Sequence, residues 1–281
     1  TRFPIISFVC FYINQLFIGS TKDYLLFITN VGKAYWIKVH EIPESERTSR
    51  GAHIKSLLAV GPDEEITAVV SLKEFAEDQY LFMTTANGVV KKVHTTEFSN
   101  AKTRGIIGLK LDTGDKLISA IQTTGSTEVM LISRRGKALK IKEDSVRSMG
   151  RASRGIKGMK LAEGDEIAAA VKVEEGTGLI LVTEKGHGKR ISSDLFSTHG
   201  RGTGGQRIFG NIDGKGEIIG AVSICDSDEI VCMTSQGKTL RIKATEIKQQ
   251  GAGASGITIV KVSEPDYLVG IDKVQEKRDN E

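Results

Sequence analysis

Short apolar runs and strictly alternating runs follow one another along the whole chain. In one representative stretch, 128–133 is rich in apolar residues and, within 138–142, the residues from 139 onward alternate apolar residues with lysines. A short apolar run bounded by turn formers predicts a buried strand, and strict alternation predicts a strand with one face in solvent. No window shows a sustained 3.6-residue period, which argues against an α-solenoid. The pattern therefore predicts an all-β protein.

Two glycine positions recur in fixed phase and divide the chain into five copies of about fifty residues. The first glycine closes a predicted hairpin, at Gly32, Gly88, Gly136, Gly186 and Gly237. The second follows 17 to 19 residues later, at Gly51, Gly105, Gly155, Gly205 and Gly256. Repeats of this length are typical of solenoids and propellers. Four predicted strands in each copy, with no long helix, indicate one four-stranded blade of a propeller-like disc.

The N-terminal residues indicate part of a sixth copy. Residues 13–21 match the strand that follows the acidic turn of the other copies, whereas residues 1–12 lack both glycines. We therefore expect a single domain over residues 1–274 whose first blade is partial or divergent. The short, mixed-charge segment 275–281 is predicted to be a flexible tail.

Charge is unevenly placed, although its sum is small. The chain has 39 basic and 35 acidic residues, a formal net charge of +4. Acidic residues gather at turns such as 62–64, 114–115 and 164–165, and basic residues gather near the two glycines. A small net charge can therefore conceal a basic rim. The three cysteines lack C-x-x-C spacing, which favours reduced thiols and a cytoplasmic protein, and no apolar run is long enough to span a bilayer.

The sequence offers no candidate catalytic residue and no candidate metal site. Its five histidines are scattered without ligand spacing. Acidic residues that recur at turns, such as Asp115 and Asp165, are better explained by bonding to the backbone than by acid–base chemistry. The segment 202–205 is glycine-rich, but no Gly-Lys-Ser/Thr follows it, so it is not predicted to bind phosphate as a P-loop.

Several motifs resemble the C-terminal domain of the DNA gyrase A subunit, which belongs to a type IIA topoisomerase. They are the segments 88–92, 97–98, 104–105, 109–111 and 114–115, the segment 136–158, and the early segment 35–44. The resemblance covers roughly residues 13–274. It implies a six-bladed β-pinwheel in which neighbouring blades exchange strands, and a basic perimeter that bends and wraps double-stranded DNA.

The resemblance also implies the setting in which such a domain works. The domain itself is non-catalytic and binds no cofactor, since ATP and Mg are used elsewhere in the holoenzyme. Its expected partners are DNA, the gyrase A N-terminal region and gyrase B in an A2B2 enzyme that introduces negative supercoils. The expected location is the bacterial cytoplasm, with the nucleoid, and the isolated domain is expected to be monomeric.

Basic residues in phase with the two glycines are the candidates for contacting DNA phosphates, without base specificity. They are Lys33, Arg50, Lys91, Lys92, Arg104, Arg134, Arg135, Lys137, Arg151, Arg154, Lys157, Lys189, Arg190, Arg201, Lys238 and Arg241. In the last two copies the arginine before the second glycine is displaced or missing. The rim is therefore predicted to be most basic over the middle blades.

The chain departs from the family pattern at one motif. Gyrase A domains carry a glutamine-arginine-glycine-lysine box at the place equivalent to 151–158 in the first blade. The segment 133–137 is similar to this box in composition, but it lies at the hairpin turn of its repeat rather than at the position of the box. The segment 204–207 lies at the right position of the repeat, but its residues stand in a different order. The place expected for the box in the first blade lies at or before residue 1, so either the sequence starts just after the box or the protein is closer to the topoisomerase IV C subunit, whose box is degenerate. A protein-binding propeller is a further alternative, from a different functional class.

Overall fold

The computed structural model describes residues 2–4, 9–10, 12–13, 18–44 and 52–274. The strands as far as the third hairpin are β1 (Arg2–Pro4), β2 (Val9–Cys10), β3 (Tyr12–Ile13), β4 (Ile18–Ser20), β5 (Tyr24–Thr29), β6 (Lys33–Lys38), β7 (Ile66–Leu72), β8 (Tyr80–Thr85), β9 (Val89–His94), β10 (Ile106–Ile107), β11 (Leu117–Thr123), β12 (Glu128–Ser133) and β13 (Lys137–Lys142). The remaining strands are β14 (Ile156–Lys157), β15 (Ile167–Val173), β16 (Gly178–Thr183), β17 (His187–Ser192), β18 (Gln206–Arg207), β19 (Ile218–Ile224), β20 (Glu229–Thr234), β21 (Thr239–Lys243), β22 (Ile257–Thr258) and β23 (Leu268–Val274).

Helical structure in the described residues is short. It consists of one α-helix, α1 (Ile54–Leu57), and of 3-10 turns at Val39–Glu41, Thr95–Phe98, Lys102–Arg104, Glu143–Ser145, Ser193–Leu195 and Ala244–Glu246. Most of these turns follow the second strand of a hairpin. The prediction of an all-β protein is confirmed.

Five antiparallel sheets form the blades of a propeller-like disc. From the inner to the outer edge, blades 1 to 5 are β7-β5-β6-β10, β11-β8-β9-β14, β15-β12-β13-β18, β19-β16-β17-β22 and β23-β20-β21. The inner strands border a central cavity of about 440 Å³, which is lined mainly by Ala, Val, Ile, Gly, Thr and Ser.

Each of the first four blades takes its outer strand from the following copy of the repeat. The hairpin β12–β13 stays in blade 3, whereas β14, which follows it in the chain, pairs with β9 of blade 2. Strand β14 has only two residues, and after it the N–H groups of Gly158 and Met159 both donate to the Gly88 carbonyl. One sequence copy therefore does not make one blade, which corrects the simplest interpretation of the repeat.

The prediction of six blades is wrong for the described residues, which form five. Within the described part of the N-terminal segment, β1 pairs with β4 and β2 pairs with β3, which gives two-stranded ladders rather than a sixth blade. The predicted strand 13–21 appears only at its ends, in β3 and β4, and residues 14–17 lie outside the described part. The physical reason is local: residues 1–12 lack both repeat glycines, including the one that closes a blade hairpin.

Aspartates stabilise the glycine turns by accepting bonds from their backbone. Gly136 has φ +85, a conformation that glycine adopts without steric cost. The Arg135 N–H in this turn donates to Asp165 Oδ1 at 3.1 Å. Asp115 and Asp266 accept in the same way from the turns of blades 2 and 5. The prediction that these recurring carboxylates serve the turns is confirmed.

Apolar side chains between neighbouring blades form the core. Phe27, Phe82 and Phe98 are fully buried. Trp36 is half-buried, and its indole N–H donates to the Phe98 carbonyl at 3.1 Å. Burial of the aromatic residues leaves the outer edge of the disc to polar chemistry.

Candidate nucleic-acid interface

A continuous path of loops and short strands follows the outer edge of the disc. It consists of the segments 101–110, 150–160, 200–210 and 251–261, which we call the outer track. The same backbone hydrogen bond joins each segment to the next. These bonds run from Lys110 N to Ser153 O (3.2 Å), from Lys160 N to Thr203 O (2.9 Å) and from Gly210 N to Ala254 O (2.9 Å). The repeat thus places equivalent groups at regular intervals along one edge.

The outer track is strongly basic, although the chain as a whole is nearly neutral. It contains ten basic residues and no acidic residue. They are Lys102, Arg104, Lys110, Arg151, Arg154, Lys157, Lys160, Arg201, Arg207 and Lys261. All are exposed except Arg151, which is half-buried. A surface of this composition attracts polyanions.

Half of these basic residues were not among the candidates from the sequence. They are Lys102, Lys110, Lys160, Arg207 and Lys261. A signal was available, because Lys110, Lys160 and Lys261 each stand five residues after the second glycine of their copy. The sequence analysis considered the residues around the glycines and overlooked this position.

Two cations face each other across the edge of blade 3. Lys137 in β13 and Arg207 in β18 are directly opposite partners in an antiparallel pair, and both are exposed. Directly opposite residues lie on the same face of a sheet, where like charges repel. The pair forms no salt bridge within the described part of the chain. A bound anion such as a phosphate would relieve this repulsion.

The candidate residues fall into classes that the sequence did not separate. The exposed ones are Arg104, Arg135, Lys137, Arg154, Lys157, Arg201, Lys238 and Arg241, and the half-buried ones are Lys33, Arg134, Arg151 and Arg190. Arg50 lies outside the described residues. The structure thus places many of the predicted cations at the surface, and the outer track brings together Arg104, Arg151, Arg154, Lys157 and Arg201.

Several of these candidates form ion pairs with carboxylates. Those pairs are Lys33 with Glu64, Arg134 with Glu166 and Glu217, Arg190 with Asp226, Lys238 with Asp266, and Arg241 with Glu229. Arg154 also pairs with Asp112 at 2.9 Å, but both side chains are more than half exposed. Exposed pairs of this kind are weak and exchange readily. Arg154 therefore remains a suitable group for a phosphate.

Three candidates are not available at the surface, and the sequence prediction is corrected for them. Lys91 and Lys189 are fully buried and Lys92 is 6% exposed. The Lys92 ammonium donates to the Glu143 carbonyl at 3.2 Å. A phosphate cannot reach these groups without displacing the loops above them. Burial lowers the pKa of Lys91 and of Lys189 to about 8.

The described residues contain no cluster of three or more His, Cys, Asp or Glu side chains able to hold a metal ion. Within that same part of the chain, no helix has the length and apolar character needed to cross a membrane.

Comparisons with known proteins agree on one family. The model of the family "DNA gyrase C-terminal domain, beta-propeller" matches residues 23–73, 79–124, 127–174, 179–225 and 228–275. The DNA gyrase A subunit of Treponema pallidum is 61% identical over 265 residues, which is 94% of this chain and 33% of that protein. The chain therefore spans about a third of the curated relatives it matches.

Two solved structures share the architecture. The DNA gyrase A C-terminal domain matches with a TM-score of 0.83 and 32% identity, covering 93% of this chain and 85% of that one. The C-terminal domain of DNA topoisomerase IV also has a TM-score of 0.83, with 27% identity, covering 94% of this chain and 82% of that one.

Proposed function

Because this chain belongs to the DNA gyrase C-terminal domain family, we propose that it binds double-stranded DNA without base specificity and bends it around the outer track. One observation carries this proposal: the outer track is continuous and exposed, with ten basic residues and no acidic one. The longest α-helix described has four residues. That length is too short for a recognition helix in the major groove.

The energetics of bending fit an extended basic edge. Bending a 20–30 bp site by 40–90° costs roughly 1–6 kcal/mol. A protein that bends DNA must recover this free energy from many phosphate contacts along a curved path. The repeated loops supply such a path, since the four outer-track segments lie at regular intervals along one edge and each carries at least one cation.

In the whole protein we propose that the wrapped DNA serves negative supercoiling. This requires the gyrase A N-terminal region and gyrase B in an A2B2 enzyme, where ATP and Mg are used, in the bacterial cytoplasm. Topoisomerase IV is the second candidate, in which the domain would bend DNA and select substrates. Its support is the TM-score of 0.83, but the 61% identity to a gyrase polypeptide favours gyrase.

A topological assay tests the proposal. Nicked plasmid is ligated with increasing amounts of the protein, and the change in linking number is measured. A shift is expected for wrapping, whereas gel retardation without a shift would indicate simple bending. The matched variants are R154Q/K157Q on the outer track and K172Q/K273Q at the central cavity. We expect only the first pair to reduce the shift.

A salt titration of DNA affinity tests binding separately. If about eight phosphates are neutralised, log K should fall with log salt at a slope of about −7. A slope near zero would contradict DNA binding and would favour a protein-binding propeller.

A further inference from the structure

Two fully buried lysines contact the backbone of the outer track from below. The Lys91 ammonium donates to the carbonyls of Gly108 (2.9 Å), Arg151 (2.5 Å) and Ser153 (2.9 Å). The Lys189 ammonium donates to the carbonyls of Gly251 (2.9 Å), Ala252 (2.9 Å) and Ala254 (3.0 Å). An ammonium has three N–H donors, so both groups are saturated.

The two contacts are the same device in two blades. Each lysine stands three residues after the turn glycine of its hairpin, Gly88 or Gly186. Each binds the carbonyls that lie four and two residues before the loop glycine of the next copy, Gly155 or Gly256. Recurrence of both the donor and the acceptor positions shows that the contact belongs to the repeat.

We propose that Lys91 and Lys189 are positioning residues that fix the outer-track loops of the following copy with the loop carbonyls pointing inward. Above Lys91, this leaves the loop arginines Arg151 and Arg154 free for phosphate. This proposal rests on the proposed function. Burial of an ammonium is costly unless it is fully hydrogen-bonded. The loop carbonyls accept these hydrogen bonds, so that six carbonyl oxygens are bound to the two ammonium groups.

Blade 3 shows what happens where the lysine is missing. Its equivalent residue is Leu139, and the loop 200–205 is held by other contacts. The Arg201 guanidinium donates to the Ser145 carbonyl at 3.2 Å and to the Lys157 carbonyl at 3.5 Å. In that blade the loop arginine anchors the loop itself.

The loop above Lys91 uses its arginines differently. No hydrogen bond or ion pair of the Arg151 side chain occurs among the described residues, and Arg154 forms only the exposed pair with Asp112. The lysine therefore takes over the anchoring that Arg201 provides in blade 3. The loop above Lys189, residues 251–256, has no arginine or lysine.

These differences give a test in which each variant controls the other. Lys91→Met and Lys189→Met each remove one ammonium group, and the two groups are equally buried and donate the same number of hydrogen bonds. Hydrogen exchange should rise by about tenfold or more at the amides of Ser153 and Lys110 in the first variant only. It should rise at Ala254 and Gly210 in the second variant only.

DNA affinity should separate the two variants. Each phosphate contact changes affinity by about threefold under moderate salt. If the released loop no longer presents Arg151 and Arg154 to phosphate, loss of these two contacts predicts about tenfold weaker binding for Lys91→Met. Lys189→Met should change affinity by less than about twofold, because its loop carries no cation. In an R151A/R154A background, Lys91→Met should have no further effect.

Equal losses in both variants, or an additive loss in that background, would show a general effect on stability and would overturn the proposal. Unchanged exchange in the two loops would also overturn it. If Lys91→Met does not fold, Lys91→Leu replaces it in the test, since leucine is the residue at the equivalent position of blade 3. If neither variant folds, Lys91 serves only the packing of the core, which would overturn the proposal. An unmodified protein without salt-dependent affinity would refute the proposed function, while the exchange measurements would still test the lysines.

Discussion

Replacing Lys137 by glutamine should stabilise the free protein and weaken its binding to DNA. Lys137 and Arg207 are directly opposite on β13 and β18 and both are exposed. Two unit charges about 6–8 Å apart in water repel by about 0.5–0.7 kcal/mol. Like charges opposite one another on a sheet have effects of about 0.2–1 kcal/mol. Removing one charge should therefore raise the free energy of unfolding by about 0.5 kcal/mol.

For a protein of this size, a gain of that order should raise Tm by roughly 1–2 °C. The same substitution removes one phosphate contact. The salt slope of DNA binding should become less steep by about 0.9, and affinity should fall by about threefold.

Thermal unfolding without DNA at low salt measures the first effect, and fluorescence anisotropy of a labelled duplex at several salt concentrations measures the second. Lys142→Gln is the matched control, since Lys142 of the same strand lies opposite Glu128, whereas Lys137 lies opposite Arg207 of the outer track. Its loss should leave stability unchanged or slightly lower. A K137Q protein that is less stable than the unmodified one, or that keeps the full salt slope, would refute the reasoning about this pair.

Two further predictions concern pH and packing. Burial lowers the pKa of Lys189 to about 8 from an ordinary value of 10.5, so the unfolded chain holds more protons between these pH values and stability should rise with pH across this window. Urea unfolding at pH 8 and pH 10 should show a smaller rise in the free energy of unfolding for Lys189→Met than for the unmodified protein. Burial raises the pKa of Cys232 to about 12, but this thiol is present in both proteins and affects them alike. Equal rises in the free energy of unfolding would contradict the assignment to Lys189. Gly105→Ala should lower stability by about 2–4 kcal/mol, because the new Cβ would lie 2.2 Å from the Tyr35 ring at a φ of +73. Gly114→Ala is the control, because Gly114 has φ +81 and open space around the new Cβ, so this variant shows the backbone cost alone. It should lower Tm less than Gly105→Ala does. Equal losses of Tm in the two variants would show that the Tyr35 contact has no effect.

The hairpins were predictable from the sequence, but the assembly of the blades was not. Alternation and a turn glycine are local signals, and they located β12 and β13 correctly. Strand β14 has two residues, and its partner β9 lies more than fifty positions earlier in the chain. Its position depends on bonds such as Gly158 N to Gly88 O. No local pattern encodes a bond of that kind.

The residue type alone could not separate surface lysines from buried ones. Lys91 and Lys92 are neighbours in β9, and successive side chains in a strand point to opposite faces. Both were among the candidates for contacting phosphates, and the structure buries both. Whether a buried lysine is tolerated depends on carbonyls from another copy, such as those of Arg151 and Ser153. The basic character of the candidate site was therefore predictable from the sequence, whereas the separation into exposed cations and buried lysines that bind loop carbonyls was not.

The outer track is regular in geometry and uneven in charge, and this combination has a consequence for the path of DNA. The same backbone bond links all four segments, but the number of basic residues changes from three to four, two and one along them. Phosphate contacts depend on charge, whereas curvature depends on the regular placement of the blades. DNA should therefore be held most firmly over the segments 101–110 and 150–160. Beyond them the curved path continues with fewer contacts, and thermal opening of the wrap should begin at the segment 251–261.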